Sequence, residues 1–572
     1  MTQPIDPVTV ALTGKLPFYL VLAAVLTFPI AFAILRLYAR AVRRSMRALA
    51  HGAAPMPAGA AAAPTGPAAD PSPGSSAGTA AAQFHDLSEP PADPSADVLF
   101  ARLRRGPRRA ALVYVAAGVT YGVLMALAQL LAGGLEVLPV RFLFLVWVYS
   151  WPVVLTIGIV AATTTRGKVL VIAGYFLVLA SIGVASMTRS PDLTWLQVFA
   201  SWMLADLPAT LLLLTFLSRR IRAVGPLIVT FMLLALIGSD VAVTVAGSRD
   251  HYLRAILEVT SSLRLGAIGT LVAMLLLGFV LFAVIGGIAL IWIGRRYEAK
   301  KISDESVTVD AVWVLFAIIH SIDLVFGGPV WALAGLVAFG AYNAVARIGF
   351  SRLAHRDGAV QQRPTLLVLR SFSIGSDSER LFDLLGRYWR RAGSIEMIAG
   401  VDLVSQTVEP HEFLDFVSGK LSRRFIDGEE SLNRRMAARH TTPDRDGRFR
   451  VNEFFCYDDT WKVVLSRLVR ESDVVVMDLR GFSRQNSGCV FELHELARLV
   501  PLDRVVFVTD RRTDEPLLAE MLGDRRAGTF RLTSMAGGRI RQLIRAMAVA
   551  ASATAPRDRA AGASAYVGAG PA

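Results

Sequence analysis

Glu471–Leu496 reads ESDVVVMDLRGFSRQNSGCVFELHEL, and its pattern decides the fold of the C-terminal part of the chain. Val474 to Met477 is a short β-branched and apolar run bounded by polar residues, as a strand buried on both faces requires. The run ends in Asp478, and a loop carrying Gly481 and Ser483 follows. A new helix opens near Ser487, with Glu492 in its second turn. In an open α/β sheet, ligands collect just beyond the carboxyl ends of the strands, so this loop and helix start are where chemistry is expected.

Strands and helices alternate on both sides of this stretch. Leu366 to Leu369, Ile395 to Ala399, Val505 to Thr509 and Thr529 to Leu532 read as further strands. Asp377 to Arg391, His411 to Phe425, Asp459 to Val469, Gly488 to Leu499 and Arg539 to Ala548 read as helices. Asp377 to Arg391 places Leu381, Leu384, Leu385 and Tyr388 on one face. Ile426 to Arg450 is charged and uneven, and reads as an inserted loop or lid. Alternation of this kind predicts a doubly wound, mainly parallel sheet covered by helices on both faces, over residues 364–550.

The rest of the chain is of another class. Of its 572 residues 53% are hydrophobic and 19% charged, outside the range of ordinary soluble domains. The apolar residues gather in blocks near the roughly 20 residues that a membrane-spanning helix needs. Nine such spans are read, at Pro17 to Leu37, Ala110 to Leu131, Phe142 to Ala162, Val169 to Met187, Trp195 to Leu217, Val224 to Ala246, Leu265 to Ile293, Val309 to Phe326 and Val330 to Ile348. Residues 1–47 form an N-terminal anchor and 98–350 a multi-pass α-helical bundle. Between them, 48–97 is rich in Ala, Pro, Gly and Ser and reads as a disordered linker, with a reach on the order of 40 Å. Residues 551–572 have a similar composition and read as a disordered tail.

Lys and Arg set the expected orientation. The clusters Arg36 to Arg47, Arg102 to Arg109, Arg219 to Arg222, Arg295 to Lys301 and Arg347 to Arg356 all fall inside if the N-terminus lies outside and the C-terminal domain is cytoplasmic, in an inner or plasma membrane. These clusters also account for much of the net charge of +14. Attraction to the lipid bilayer explains them, and no aromatic and basic platform accompanies them, so nucleic acid is not an expected partner. Cys456 and Cys489 both fall in the cytoplasmic part, where a disulfide is not expected. No residues have a metal-ligand spacing, and no metal is expected.

Asp206, Asp240, His320 and Asp323 lie within or near the ends of apolar spans, where an ionisable group needs a partner or water. Structural contacts and a conduction path are both open readings. The glycines of Leu265 to Ile293 mark close helix packing.

The run from Trp461 through Ser472 to Cys489, Glu492 and Leu493 resembles the core of TIR domains, which show a Trp-bearing helix, a Ser before a strand and Cys-x-x-Glu-Leu opening the next helix. The same segment is similar to nucleoside deoxyribosyltransferase-like proteins, through Asp478, Leu479, Gly481, Phe491, Glu492 and Leu493. Gly488 stands where TIR domains usually carry Trp. The resemblance covers only the C-terminal third. It implies a flavodoxin-like fold, self-association through the α/β domain, and, in enzymatic members, a glutamate acting on the N-glycosidic bond of NAD or a related nucleotide.

On that resemblance Glu492 is the catalytic candidate. With Val490, Leu493, Ala497 and Val500 forming the apolar face, Glu492 is expected off that face, open to the loop after Asp478. A carboxylate in the first turns of a helix also simply suits the helix dipole. Arg370, Ser371 and Ser373 follow the first strand where a phosphate would sit, although strand-end turns are polar in any case. Asp478 is a ribose-binding or loop-capping residue, Gly481 shapes the loop, and Trp461 completes the ligand-binding set. Three readings follow: nucleotide binding or hydrolysis under control of the membrane region, a non-enzymatic signalling or scaffold protein, and a transporter with a regulatory domain.

Overall fold

The computed structural model describes residues 7–49, 84–88, 93–161, 165–189, 194–205, 224–247, 250–322, 327–357, 363–370, 376–399, 424–457, 460–523, 525–534 and 537–553, with a few isolated positions between them. The N-terminal two thirds hold α1 (Pro7–Leu49), strand β1 (Phe84–Asp86), α2 (Pro94–Ala132), α3 (Pro139–Ser150), α4 (Val153–Ala161), α5 (Thr165–Arg189), α6 (Trp195–Ala205), α7 (Gly225–Gly247), α8 (Asp250–Ser262), α9 (Ala267–Glu298), α10 (Asp304–Ile322) and α11 (Ala334–Asp357). Among the described residues, seven helical stretches are long and apolar enough to cross a membrane. The span read at Val309 to Phe326 is not one of them, although α10 covers most of it. That read at Trp195 to Leu217 is helical over Trp195–Ala205, and most of its second half lies outside the described residues.

The helices pack around aromatic side chains. Trp313 and Phe316 of α10 are fully buried with Tyr121 of α2, Trp151 and Tyr342. The Trp313 indole N–H donates to Thr156 Oγ1 at 3.0 Å, so the one polar atom of that ring is satisfied inside the apolar core. His320 is likewise accounted for by Tyr121, whose hydroxyl lies 3.0 Å from Nδ1, and by the rings of Tyr149 and Phe316 around it. Asp240 is buried on α7, where the Tyr19 hydroxyl hydrogen-bonds to it. Asp206 and Asp323 lie outside the described residues.

The C-terminal third continues with β2 (Leu366–Arg370), α12 (Ser376–Trp389), β3 (Ile395–Ala399), β4 (Phe425–Ile426), α13 (Glu429–Ala437), β5 (Val451–Cys456), α14 (Trp461–Glu471), β6 (Val474–Asp478), α15 (Ser487–Leu499), β7 (Val505–Thr509), α16 (Glu515–Leu522), β8 (Ala527–Arg531) and α17 (Gly537–Ser552). The strands form one wholly parallel sheet in the order β1-β8-β7-β6-β2-β3-β5-β4. Apolar cores lie on both faces, one under α12 and α17 and the other under α14, α15 and α16. A parallel sheet needs cover on both faces, and the unbroken runs VVVMD of β6 and VVFVT of β7 are buried throughout.

Two parts differ from the sequence reading. The linker read over 48–97 does not run so far, because Phe84–Asp86 pairs in parallel with β8 and Leu87 is buried against that strand's Gly528. Helix α2 then starts at Pro94, capped by Asp93, whose carboxylate accepts from the Ser95 N–H at 2.8 Å. Ala96, Leu99 and Leu103 are buried against α17 and α12 before the same helix enters the bundle. Gly106 marks the passage, since a Cβ there would lie 2.8 Å from that of Arg391. The segment read as an inserted loop or lid, Ile426 to Arg450, holds the end of β4, α13 and an ordered turn, with β5 directly after it. Asn452 and Glu453 interrupt the apolar pattern of β5, which hides this inner strand from periodicity. The helix read at His411 to Phe425 lies mostly outside the described residues.

Candidate functional site

The chain leaves β2 for β3 on one side and leaves β6 for β7 on the other, so neighbours β2 and β6 mark the point where the winding reverses. Their last residues, Arg370 and Asp478, stand side by side in register. Such a reversal opens a crevice at the carboxyl edge of the sheet, where ligands settle. Ser371, Ser373 and the side chain of Arg370 lie outside the described residues.

Asp478 is buried and bound to a neighbour that sequence reasoning missed. The Arg480 guanidinium grips the carboxylate with two bonds, Nε to Oδ1 at 2.8 Å and Nη2 to Oδ2 at 2.6 Å. This fork matches the carboxylate plane and fixes the loop. Gly481 follows at φ 70°, a conformation costly for residues with a Cβ, and its N–H donates to Asp510 Oδ1 at 3.0 Å. Asp510 thereby ties the β6 loop to the end of β7. Burial pushes its carboxyl upward, but the N–H groups of Gly481 and Arg512 and the side chains of Arg512 and Thr513 hold it below the usual range. Thr513 Oγ1 donates to the Leu479 carbonyl at 3.0 Å, a second tie between the same loops. The polar run after β7 was the available signal for these two residues.

Helix α15 presents three faces. Cys489, Leu493 and Leu496 are fully buried in the core beneath it. Phe491 and Glu495 meet α14, with Phe491 edge-on to Trp461 at 5.3 Å between ring centroids and Glu495 Oε2 accepting from Ser466 Oγ at 2.7 Å. Glu492 falls between these two faces and is 5% exposed. This corrects the expectation that it stands off the apolar face. Cys489 and Leu496 turn that face toward Glu492, and α14 covers the helix from the other flank.

Trp461 opens α14 just after the carboxyl end of β5, on the edge of the sheet that carries Asp478. Its contact is with α15, and the Lys462 ammonium lies 4.9 Å from the Phe491 ring between the two helices. The structure thus sets Trp461, Asp478 and Gly481 along the carboxyl edge of the sheet, with Glu492 in the second turn of the helix that follows the Gly481 loop. Among the described residues, no three or more His, Cys, Asp and Glu side chains are grouped to hold a metal ion. Compared with protein-family models, with curated proteins and with solved structures, the chain matches none.

Proposed function

We propose that the chain is a membrane-tethered, TIR-like protein whose α/β domain binds an NAD-like nucleotide and hydrolyses its N-glycosidic bond under control of the membrane region. The observation that carries this reading is the burial of Glu492 on α15, the helix that follows the β6 loop at the point where the winding reverses. The order β3-β2-β6-β7-β8 is that of flavodoxin-like sheets and supports the same reading. Residues within or beside the basic clusters meet the α/β domain, Tyr38 and Val42 at the core that holds Phe455, Gly106 at Arg391 and Tyr297 at Arg450, which supports the domain's placement on the cytoplasmic side.

In this reaction the bond between ribose C1′ and the nicotinamide nitrogen breaks, and its electron pair leaves with neutral nicotinamide. Positive charge builds on the sugar, and the Glu492 carboxylate stabilises it from a site poor in water. Water then adds its oxygen to C1′ and releases a proton to solvent. The test is nicotinamide release from NAD by the full chain in lipid nanodiscs. Glu492→Gln is expected to lower release roughly a hundred- to ten-thousand-fold. Equal release by the variant and the unaltered chain would sink the reading.

A second reading is favoured by one contact: Arg480 already occupies the Asp478 carboxylate that a ribose would otherwise meet. In it the α/β domain self-associates or recruits a partner without catalysis, and Glu492→Gln leaves assembly unchanged.

A further inference from the structure

The turn between α9 and α10 is gripped by the α/β domain through charged groups withdrawn from water. Asp304 and Glu305 open α10, where the helix dipole favours acids. Arg390 Nη1 meets Asp304 at 3.2 Å, Arg391 Nη2 meets Glu305 at 2.7 Å, and Arg448 Nη1 bridges both at 3.2 and 2.9 Å. A fourth arginine, Arg450, is paired with Asp444 at 2.8 Å and donates to the carbonyl of Tyr297, in the last turn of α9. Ser303 Oγ donates to Asp446 at 2.6 Å, and Lys300 Nζ to Thr442 Oγ1 at 2.6 Å. Lys300 holds φ at 55°, strained for a residue with a Cβ, and its side chain is one of those holding the turn in place.

Chain position gives this junction its meaning. Arg390 and Arg391 stand just before β3, and Arg448 and Arg450 just before β5, so all four sit at the amino ends of neighbouring strands. The carboxyl ends of the same two strands, at Ala399, Phe455 and Tyr457, pack with Leu35, Tyr38 and Val42 of α1. The β3–β5 pair is therefore held at both ends by helices of the membrane region, and β3 adjoins β2 at the winding reversal. Desolvated ion pairs tolerate little misalignment, so such a junction moves as one body or comes apart.

We propose that the α9–α10 turn is the coupling element through which the membrane bundle sets the position of β3 and β5, transmitting movement of α10 to the sheet beside the candidate site. The proposal does not depend on what that site binds.

Gly335→Ala and Gly118→Ala displace α10 from within the bundle, because a Cβ at Gly335 would meet the Ala317 carbonyl at 2.2 Å and one at Gly118 would meet the Trp313 ring at 2.7 Å. Hydrogen exchange of the full chain in nanodiscs reads the result at the amides of β3 and β5. With the junction intact, each variant is expected to speed exchange there by about tenfold while β7 is unchanged. In an Asp304→Asn, Glu305→Gln background, the same glycine variants are expected to add nothing at β3 and β5. Equal responses in both backgrounds, or a response of α10 alone with the junction intact, overturn the proposal. Should neither glycine variant fold, Glu305→Gln by itself still speeds exchange at β3 and β5, and unchanged exchange there overturns it equally.

Discussion

The Arg450 guanidinium lies 3.8 Å from the centre of the Tyr297 ring, so a residue of the α/β domain stacks on the last turn of a membrane helix. The same group is forked by Asp444, with Nε 3.0 Å from both carboxylate oxygens, and both side chains are almost fully buried. Removing one partner of a buried pair leaves the other charge desolvated. Arg450→Ala is therefore expected to cost about 3–5 kcal/mol, measured by denaturant unfolding of the α/β domain in the solubilised chain. Arg450→Lys keeps the charge but loses the fork and the stacking, and should recover only part of that cost. Full recovery would mean that charge alone holds the contact.

The junction also holds two groups with opposite responses to pH. Burial, and then the cations Arg450, Lys300, Arg435 and Arg424, push His440 down to about 4. Unfolded chain takes up that proton from the ordinary value of 6.5, so the stability contributed by His440 is present above 6.5 and lost as pH falls through about 4. Asp444 runs the other way. Burial raises its carboxyl to about 7 against the lowering effect of Arg450, so its contribution is full below the ordinary 3.8 and lost as pH rises through about 7. Acidifying from about pH 7 to 5 should thus stabilise His440→Gln and destabilise Asp444→Asn. Thermal unfolding of both variants across that range checks the signs; parallel slopes would refute the assignment.

Where a strand is an unbroken apolar run the sequence reveals it, as at β2, β6 and β7, and β3, with Glu396 as its one polar residue, likewise falls at its expected position. β1 and β5 escape for different reasons. Phe84 to Asp86 is too short to carry a pattern, and β5 is interrupted by Asn452 and Glu453. At the candidate site, Glu492 was legible as a carboxylate at a helix start, but its burial was not, because burial depends on how α15 packs in the folded domain. The junction was least visible of all. Arg390, Arg391, Arg448 and Arg450 look like solvated charges in a linear sequence, and only the fold shows that their partners come from α9 and α10, some 86 to 153 residues away.

The early residues of α2 belong to the core of the α/β domain, and this has a measurable consequence. Leu103 is fully buried with Leu99 against α17. Leu103→Ala should destabilise the α/β domain by about 2–5 kcal/mol. Unfolding followed separately in the two regions would show the loss in the α/β domain. A loss confined to the membrane helices would instead assign this stretch of α2 to the bundle.

The Asp478–Arg480 fork separates the two roles open to Asp478. Both side chains are largely buried, with exposures of 7% and 11%, so neither is a loosely held surface charge. If the aspartate serves the loop, Asp478→Asn and Arg480→Gln each lose the same contact, and each should cost about 1–3 kcal/mol. The double variant should then cost no more than the worse single one, because the interaction can be lost only once. Nucleotide affinity, read by calorimetry with NAD, should stay within a few-fold in all three. If the aspartate instead meets a ribose hydroxyl, Arg480→Gln releases the carboxylate and leaves affinity intact while Asp478→Asn lowers it by about tenfold or more, a split between the two variants that a loop-holding pair cannot produce.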